Sequence, residues 1–252
     1  MLHILNVLNS TLSSTLRGWR GTSSSRQTLH PEKPLILFDR EGDAECRLVR
    51  EAVTSLNLDV TIMPCPLGGK NLRYLRNEAG SEKVPVLYDS NVEERRSGAK
   101  EIIRFLFLEY RNIETPEKYL FTDRDLKLSQ WASYLRFNAG INAKPAQPAA
   151  EPLTLYSFES SPYSRLVRER LCELELPYHL VNLGKQQTAD MGPAKMRLTL
   201  KPYKPLPNTK REAFFEKYGN VQVPFLVDPN THTEMFESKD ILRYLDETYL
   251  NK

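Results

Sequence analysis

The chain contains an internal repeat, and this repeat constrains its fold more than any other feature. The segment from Leu35 (LILFDREGDAECRLVREAVTSLNLD) matches the segment from Leu153 (LTLYSFESSPYSRLVRERLCELELP), including an identical RLVRE run. Two later segments, KVPVLYD and KEIIRFL, recur in the same order as QVPFLVD and KDILRYL. Self-similarity of this extent indicates a duplicated structural unit. The sequence therefore predicts two tandem copies of one domain.

Each copy has the pattern of a small α/β domain. Short apolar strands alternate with segments whose apolar residues recur at helical spacing, as Val167, Leu171 and Leu174 do. A Val-Pro hairpin and a last helix, which ends at Tyr110 or Tyr249, complete the order βαβαββα. Parallel strands joined by crossover helices then give each copy its own α/β sheet, in a domain of about a hundred residues.

A weaker match upstream of each copy, STLSSTLRGWRG with SQWASYLRFNAG, indicates that a leader helix belongs to the repeat unit. We expect the first leader to pack through one apolar face, formed by Leu5, Leu8, Leu12, Leu16 and Trp19. A cleaved transit peptide is the alternative, because residues 1–31 contain arginine, serine and threonine but no acid. The predicted divisions are 1–33 (leader helix and linker), 34–112 (first domain), 113–151 (helix and Pro/Ala linker) and 152–252 (second domain).

Composition argues against several classes of function. The formal net charge of +3 at pH 7 gives no case for nucleic-acid binding, and no apolar run is long enough to cross a bilayer. Three cysteines, Cys46, Cys65 and Cys172, are too sparse for a secreted disulfide scaffold, so we predict a soluble, cytoplasmic protein. The cysteines lack paired CxxC spacing and the histidines do not cluster with them, so no metal site is predicted.

Three separated motifs of the second copy carry its chemistry: SSPYSRLVR from Ser160, Val223-Pro224, and Glu237-Ser238. In this order they resemble the N-terminal, glutathione-binding domain of glutathione transferases and glutaredoxins, which has a thioredoxin-like fold. The tandem arrangement and the PCPLGGK stretch at Pro64 also resemble a group of bacterial and plant double-domain proteins of this superfamily. The resemblance covers nearly the whole chain.

The resemblance implies glutathione as the ligand and gives each motif a role. Ser161 would be the catalytic residue that activates the thiol. The residue before a cis-proline at Pro224 would offer its backbone to the cysteinyl part, and an acid-serine pair would hold the γ-glutamyl end. The implied glutathione-binding residues are Ser160, Pro162, Tyr163, Ser164, Val223, Pro224, Glu237 and Ser238.

The residue types agree with thiol activation, although each also has a purely structural interpretation. A thiolate beside a helix N-terminus meets unpaired N–H groups and a partial positive charge, and the Ser161 hydroxyl can donate to it. Because Ser161 and Ser164 are both serines, a glutaredoxin-type dithiol cannot form there. Serine is also a favoured N-cap, Glu237 and Ser238 fit a cap of the last helix, and Pro224 fits a strand-edge turn.

The first copy has lost two of the three motifs. Asp43 aligns with Ser161, where an anion would repel a thiolate, and SGA replaces the FES that contains the acid-serine pair. Cys46 aligns with Ser164, and Cys65 follows the second strand, so these two thiols are candidates for a redox pair at one edge of the sheet. The alternative is that both are ordinary buried thiols, as we expect for Cys172.

The second copy carries an insertion, residues 191–211, that has six basic side chains and no acid. Its basic residues are Lys195, Arg197, Lys201, Lys204, Lys210 and Arg211. One interpretation is a lid or cationic rim near the site, which would attract glutathione carboxylates or an acidic partner. The other is a solvated loop.

The sequence thus favours a glutathione transferase-like protein whose second copy activates the thiol. Two alternatives stay open: a non-enzymatic thioredoxin-fold scaffold or glutathione sensor, and a thiol redox protein that uses Cys46 and Cys65. The resemblance also raises a question. Transferases of this superfamily have a helical domain that forms the pocket for the electrophile, and the sequence does not show which residues would form it here.

Overall fold

A computed structural model describes residues 2–80, 82–194, 197 and 202–251 of the chain. The first half contains α1 (Leu2–Leu16), β1 (Leu35–Asp39), α2 (Ala44–Ser55), β2 (Val60–Pro64), α3 (Lys70–Ala79), β3 (Val86–Asp89), β4 (Glu94–Ser97) and α4 (Ala99–Arg111). The second contains α5 (Asp123–Tyr134), β5 (Leu153–Ser157), α6 (Pro162–Glu173), β6 (Tyr178–Asn182), α7 (Lys210–Tyr218), β7 (Phe225–Asp228), β8 (Thr233–Phe236) and α8 (Ser238–Tyr249). Two tandem βαβαββα units, each preceded by a leader helix, are confirmed.

The two copies share one continuous eight-stranded sheet, in the order β4-β3-β1-β2-β6-β5-β7-β8. Within each copy the first two strands are parallel and the hairpin is antiparallel to them. The copies meet where β2 pairs with β6 in antiparallel fashion, with Val60 opposite Leu180 and Ile62 opposite Tyr178. This pairing satisfies one edge of each half-sheet, an edge that would otherwise present unpaired backbone groups.

Helices cover both faces of the sheet. On one face α2 packs with α4 and α6 packs with α8, and their buried side chains form a single core with residues of both copies, among them Leu37, Val49, Leu155 and Val167. On the other face α3 and α7 each cover a smaller apolar cluster. The shared core and the shared sheet make the two repeats one structural body.

A buried ionic cluster joins the copies between α2 and α6. Arg50 Nε lies 3.0 Å from Glu159 Oε2, and Arg168 Nη2 lies 3.0 Å from Glu41 Oε1, so each copy provides one arginine and one glutamate to the other. Burial alone would raise the pKa of Glu159, but Arg168 and Arg50 overcome this and lower that pKa to about 2. Buried charges persist only when paired, and these ion pairs link the two halves across their interface.

The leader helix α1 packs through the face opposite to the one predicted. The predicted core residues are substantially exposed: Leu5, Leu8, Leu12, Leu16 and Trp19. The buried face consists of small hydroxyl side chains that find backbone partners, with Ser13 Oγ 2.9 Å from Ala132 O and Ser14 Oγ 2.9 Å from Ser160 O. The prediction was wrong because small serine side chains, whose hydroxyls donate to backbone carbonyls, let α1 approach its neighbouring helices closely.

The leaders also cross between the copies. Helix α1 packs on α6 of the second copy, and α5 packs on α2 of the first. Each leader still forms a bidentate ion pair with its own copy: Arg17 with Glu51 and Arg136 with Glu169, with nitrogen–oxygen distances of 2.7 to 2.8 Å. The first leader therefore reaches the second copy's half of the molecule, which positions it beside the site described next.

The residues between the halves, 143–151, form no helix or strand. They are fixed by backbone bonds from Lys144 N to Glu173 O (2.7 Å) and from Gln147 N to Tyr249 O (2.8 Å). In the part of the chain that the structure describes, no helix is long and apolar enough to span a membrane. No group of three or more His, Cys, Asp or Glu there has the arrangement of a metal site.

Candidate functional site

A cleft of about 700 Å³ opens beside the second copy's half-sheet. Its walls come from the start of α6, the turn before β7, the start of α8, the leader and the insertion. Seven of the residues implicated by the sequence line it: Ser161, Pro162, Tyr163, Val223, Pro224, Glu237 and Ser238. The fold thus brings three motifs that are distant in sequence to one place.

Ser161 is the N-cap of α6, and its hydroxyl oxygen accepts from Ser164 N at 3.3 Å. A serine hydroxyl can accept this bond and still donate its own proton. Pro162 opens the helix at a position where a missing N–H costs nothing. The helix therefore presents a hydroxyl donor and its positive end to the cleft together.

Ser160 and Ser164 do not line the cleft. Ser160 is buried against the leader: its hydroxyl bonds Thr22 Oγ1, and its N–H donates to Gly21 O at 3.2 Å. Ser164 is buried within the domain, and its hydroxyl has no hydrogen-bond partner among the described residues. The predicted ligand contacts therefore concentrate on Ser161 within this motif.

The other two motifs flank the start of β7 and the start of α8. The Val223–Pro224 peptide bond is cis, and β7 begins at the next residue. Glu237 precedes α8 and accepts from Gln222 Nε2 at 2.8 Å, while the buried Ser238 hydroxyl lies 3.3 Å from His3 Nε2 of the leader.

Glu237 occupies a backbone conformation that side chains rarely adopt. Its φ is 68° and its ψ is 111°, whereas the equivalent residue of the first copy is Gly98, with φ 83° and ψ 144°. Glycine takes such angles without steric cost, and other residues do so at a cost of about 1 to 3 kcal/mol. Conformations of this kind cluster at functional sites, so its backbone angles mark Glu237 as a candidate functional residue.

One side of the cleft is cationic. Lys185, Arg197 and Arg211 line it, with Asp190 as the carboxylate beside them. Arg211 Nε lies 3.3 Å from Asp190 Oδ1, and the Arg197 guanidinium stacks 3.5 Å over the Tyr203 ring. Burial, together with Arg211, lowers the pKa of Lys185 to about 8. This side of the cleft therefore favours an anionic group.

The insertion contributes directly to this side. Met191, Gly192, Pro193 and Ala194 line the cleft together with Arg197 and Arg211, and Lys185 Nζ donates to Gly192 O at 3.0 Å. Lys210 instead pairs with Asp59 at 2.6 Å. Two of the basic residues named from the sequence, Lys195 and Lys201, lie outside the described residues. The segment is thus a wall of the cleft, at least through the residues the structure describes.

The leader contributes an aromatic side chain in an unfavourable backbone conformation. Trp19 lines the cleft with φ 56°, held by bonds from its N–H to Ser14 O (2.9 Å) and from Thr22 Oγ1 to its carbonyl (2.6 Å). The matching residue of the second leader is Asn138, with φ 62°. Asparagine adopts this left-handed region at a lower steric cost than a bulky aromatic residue does. Trp19 is therefore a second residue retained at a conformational cost beside the cleft.

The first copy keeps the scaffold of the site without its chemistry. The Val84–Pro85 bond is also cis, but Asp43 caps α2, its carboxylate accepting from Glu45 N (2.9 Å) and Cys46 N (3.0 Å). The backbone N–H of Lys185 donates to Thr22 O. The equivalent bond in the first copy runs from the backbone N–H of Leu67 to Ile141 O. The first copy therefore has the aliphatic side chain of Leu67 at the position where the second copy has the Lys185 ammonium.

The three cysteines are free, buried thiols. Burial raises the pKa of Cys46, Cys65 and Cys172, and Asp43 and Asp39 raise that of Cys46 further. Cys46 and Cys65 are not joined by a disulfide in this structure. Raised pKa values disfavour the thiolate that redox exchange requires.

The cleft is also lined by Trp19, Phe158 and Lys185. The sequence analysis did not identify them as site residues, and it placed Trp19 on the packed face of the leader. A signal for two of them exists in the repeat, because Trp19 replaces Asn138 and Lys185 replaces Leu67 at matched positions. Comparing the copies for gains of function, as well as losses, would have found these two residues.

Two segments, residues 37–114 and 155–252, match the family model described as the N-terminal domain of glutathione S-transferase. Together they cover more than half of the chain, one segment in each copy. Neither a curated protein nor a solved structure matches the chain.

Proposed function

Since the chain belongs to the glutathione S-transferase N-terminal domain family, we propose that the second-copy cleft binds glutathione and activates its thiol for transfer. The observation that carries this proposal is the convergence of Ser161, Pro224 and Glu237 on one cleft. The first copy then acts as a scaffold, because it has Asp43 in place of the Ser161 hydroxyl, Gly98 in place of the Glu237 acid and Leu67 in place of the Lys185 cation.

Charge matching gives the tripeptide a direction in the cleft. Its thiol lies at Ser161, its cysteinyl backbone meets Val223, and its γ-glutamyl ammonium pairs with Glu237. Its glycyl carboxylate then meets the cationic side, which includes Lys185 and Arg211. This arrangement assigns the basic insertion to the ligand's carboxylate, in preference to an acidic protein partner.

Thiol activation follows from the start of α6. The hydroxyl of Ser161 donates to the sulfur, and a hydrogen bond to a charged acceptor contributes about 1.5 to 3 kcal/mol. The helix N-terminus adds about 0.3 to 1 kcal/mol in favour of the anion. Both effects lower the thiol pKa and increase the thiolate population at neutral pH. No protein cysteine takes part in this step.

The same cleft has room for an acceptor. Beyond the glutathione residues it is lined by Trp19, Phe158 and Met191, which come from the leader, the loop before α6 and the insertion. These side chains give the cleft an apolar lining, and the Phe158 ring centroid lies 5.5 Å from Lys185 Nζ. We therefore assign the pocket for the electrophile to the leader and the insertion, two elements that flank the site.

Calorimetry with glutathione tests binding, and the ultraviolet absorbance of the bound thiolate, followed against pH, tests activation. We expect Ser161→Ala to raise the bound thiol's pKa by about 1 to 2 units, corresponding to a loss of about 1 to 3 kcal/mol. Asp43→Ala is the matched control, because it also removes an N-cap but in the first copy. It should leave the thiol's pKa unchanged.

Conjugation of chlorodinitrobenzene separates the transferase from the scaffold or sensor. Glutathione binding without conjugation by any electrophile tested would favour the non-enzymatic alternative. Absence of glutathione binding at this cleft would overturn the proposal as a whole. Equal thiol pKa values in the wild type and Ser161→Ala would remove the role of the serine while leaving binding intact.

A further inference from the structure

An exposed apolar surface covers the outer side of the two leader helices. Helix α1 presents Ile4, Leu5, Leu8, Leu12 and Leu16 to solvent, each between 37% and 64% exposed. Helix α5 and the turn after it present Trp131, Tyr134 and Phe137, between 64% and 85% exposed. We call these eight residues the outer apolar surface. The candidate cleft does not use them.

The two parts of this surface lie on neighbouring helices. Helix α1 lies on α6 and α5 lies on α2, while α1 and α5 also pack against each other. The link between them is direct, since Ser13 Oγ bonds Ala132 O at 2.9 Å and Arg136 Nη1 bonds Asn6 O at 3.2 Å. The leaders thus form an outer layer over α2 and α6, and their exposed sides point away from that layer.

This surface is large enough for a stable interface. Eight large apolar side chains, most of them more than half exposed, present on the order of 800 Å², about what each partner contributes to a standard interface. A monomer's largest apolar patch is usually about 300 to 600 Å². An exposed apolar area of this size therefore indicates a binding surface.

The sequence of α1 favours a protein partner over a membrane. Leu5, Leu8 and Leu12 follow the alternating spacing of three and four residues that forms a narrow coiled-coil seam. The helix contains no Asp, Glu, Lys or Arg, whereas helices that lie on membranes carry a polar face rich in Lys and Arg. Depletion of charge is typical of the cores of interfaces between identical chains.

We propose that the outer apolar surface is the interface between two copies of this chain. An isologous dimer places the same surface on both sides of a twofold axis, so the leucine seam of α1 packs against its own copy. The aromatic cluster, in which the Trp131 and Tyr134 rings lie edge to face at 6.0 Å, flanks the seam. The apolar face of α1, which the monomer leaves exposed, is buried in the dimer.

Sedimentation of the full chain over about 1 to 100 µM tests this inference. The wild type should sediment as two 29.1 kDa chains, and Leu8→Glu combined with Leu12→Glu should raise the dissociation constant at least about 100-fold. Leu29→Glu is the matched control, because Leu29 is 64% exposed outside this surface, and it should sediment like the wild type. Circular dichroism melting establishes that the variants fold.

A second variant keeps the test independent of α1. Trp131→Glu combined with Tyr134→Glu alters the other helix and should also dissociate the dimer. A monomeric wild type at about 100 µM, or surface variants that associate as tightly as the wild type, would overturn the inference. So would a monomer that sediments with vesicles of phosphatidylcholine and phosphatidylserine, since that result would assign the surface to a membrane.

Discussion

Replacing Glu237 with glycine is expected to separate the stability of the fold from its function. The residue holds φ 68° and ψ 111°, and the first copy has Gly98 at the equivalent position. Relief of this conformation contributes about 1 to 3 kcal/mol to stability. Glycine also increases the entropy of the unfolded chain, which lowers stability by about 0.5 to 1 kcal/mol. The lost hydrogen bond from Gln222 Nε2 is exposed to solvent and contributes little.

The balance predicts that Glu237→Gly stabilises the protein by up to about 2.5 kcal/mol. For a chain of this size each kcal/mol gained raises Tm by about 2 to 4 °C. Glutathione affinity should move in the opposite direction. Loss of a charged contact to the γ-glutamyl ammonium costs about 1.5 to 3 kcal/mol, which weakens binding by about 10-fold to 150-fold.

Thermal melting and calorimetry measure the two effects, and two control variants isolate their causes. Glu237→Gln keeps the backbone conformation, so it should lower affinity without changing Tm. Gly98→Glu places the same side chain at the first copy's equivalent, where a Cβ would meet no atom within 4 Å. It should lower stability and leave affinity unchanged. If Glu237→Gly destabilises the fold, the strain argument fails, and if affinity is unchanged, the assigned contact is wrong.

Three further predictions concern other parts of the molecule. Trp19→Asn should preserve or raise Tm, because asparagine suits the left-handed conformation. The same change should reduce the extra affinity of S-hexylglutathione over glutathione, and an equal preference in both proteins would contradict the assignment of Trp19 to the acceptor pocket. Affinity for S-methylglutathione, whose sulfur does not titrate, should fall as pH rises through about 8, because Lys185 loses its proton, and a fall that persists in Lys185→Arg would contradict this cause. Glu41→Ala should destabilise the fold by about 3 to 5 kcal/mol in chemical denaturation, because it removes the carboxylate that bonds both Nε and Nη2 of the buried Arg168 and leaves that guanidinium to Glu159, whereas an effect below about 1 kcal/mol would show that the cluster is not needed for docking.

The sequence predicted the architecture of each copy because that architecture is recorded locally. Hydrophobic spacing distinguishes helix from strand within a few turns, and the repeat allows each copy to support the assignment of the other. The convergence of Ser161, Pro224 and Glu237 on one cleft follows from the order βαβαββα, which brings helix starts and the hairpin to one edge of the sheet. These elements did not require knowledge of distant contacts.

The leader helix shows where this reasoning fails. Its apolar stripe is as regular as that of a core helix, yet Ser10, Ser13 and Ser14 are the buried residues. A periodic pattern reports that a face is apolar but does not report which surface covers it. Small hydroxyl side chains let α1 approach its neighbours closely and satisfy their own polar groups, and this option is visible only when the neighbours are in place.

The sequence by itself determined that the chain is a duplicated glutathione transferase-type domain, and it predicted that only the second copy retains the acid and hydroxyl residues of the candidate site. The tertiary structure decided how the copies combine: β2 pairs with β6, the leaders cross, and Trp19 and Lys185 complete the cleft. The physical reason is the range of the interactions. Local propensity and periodicity specify elements, whereas edge pairing, buried ion pairs and helix docking depend on residues far apart in sequence.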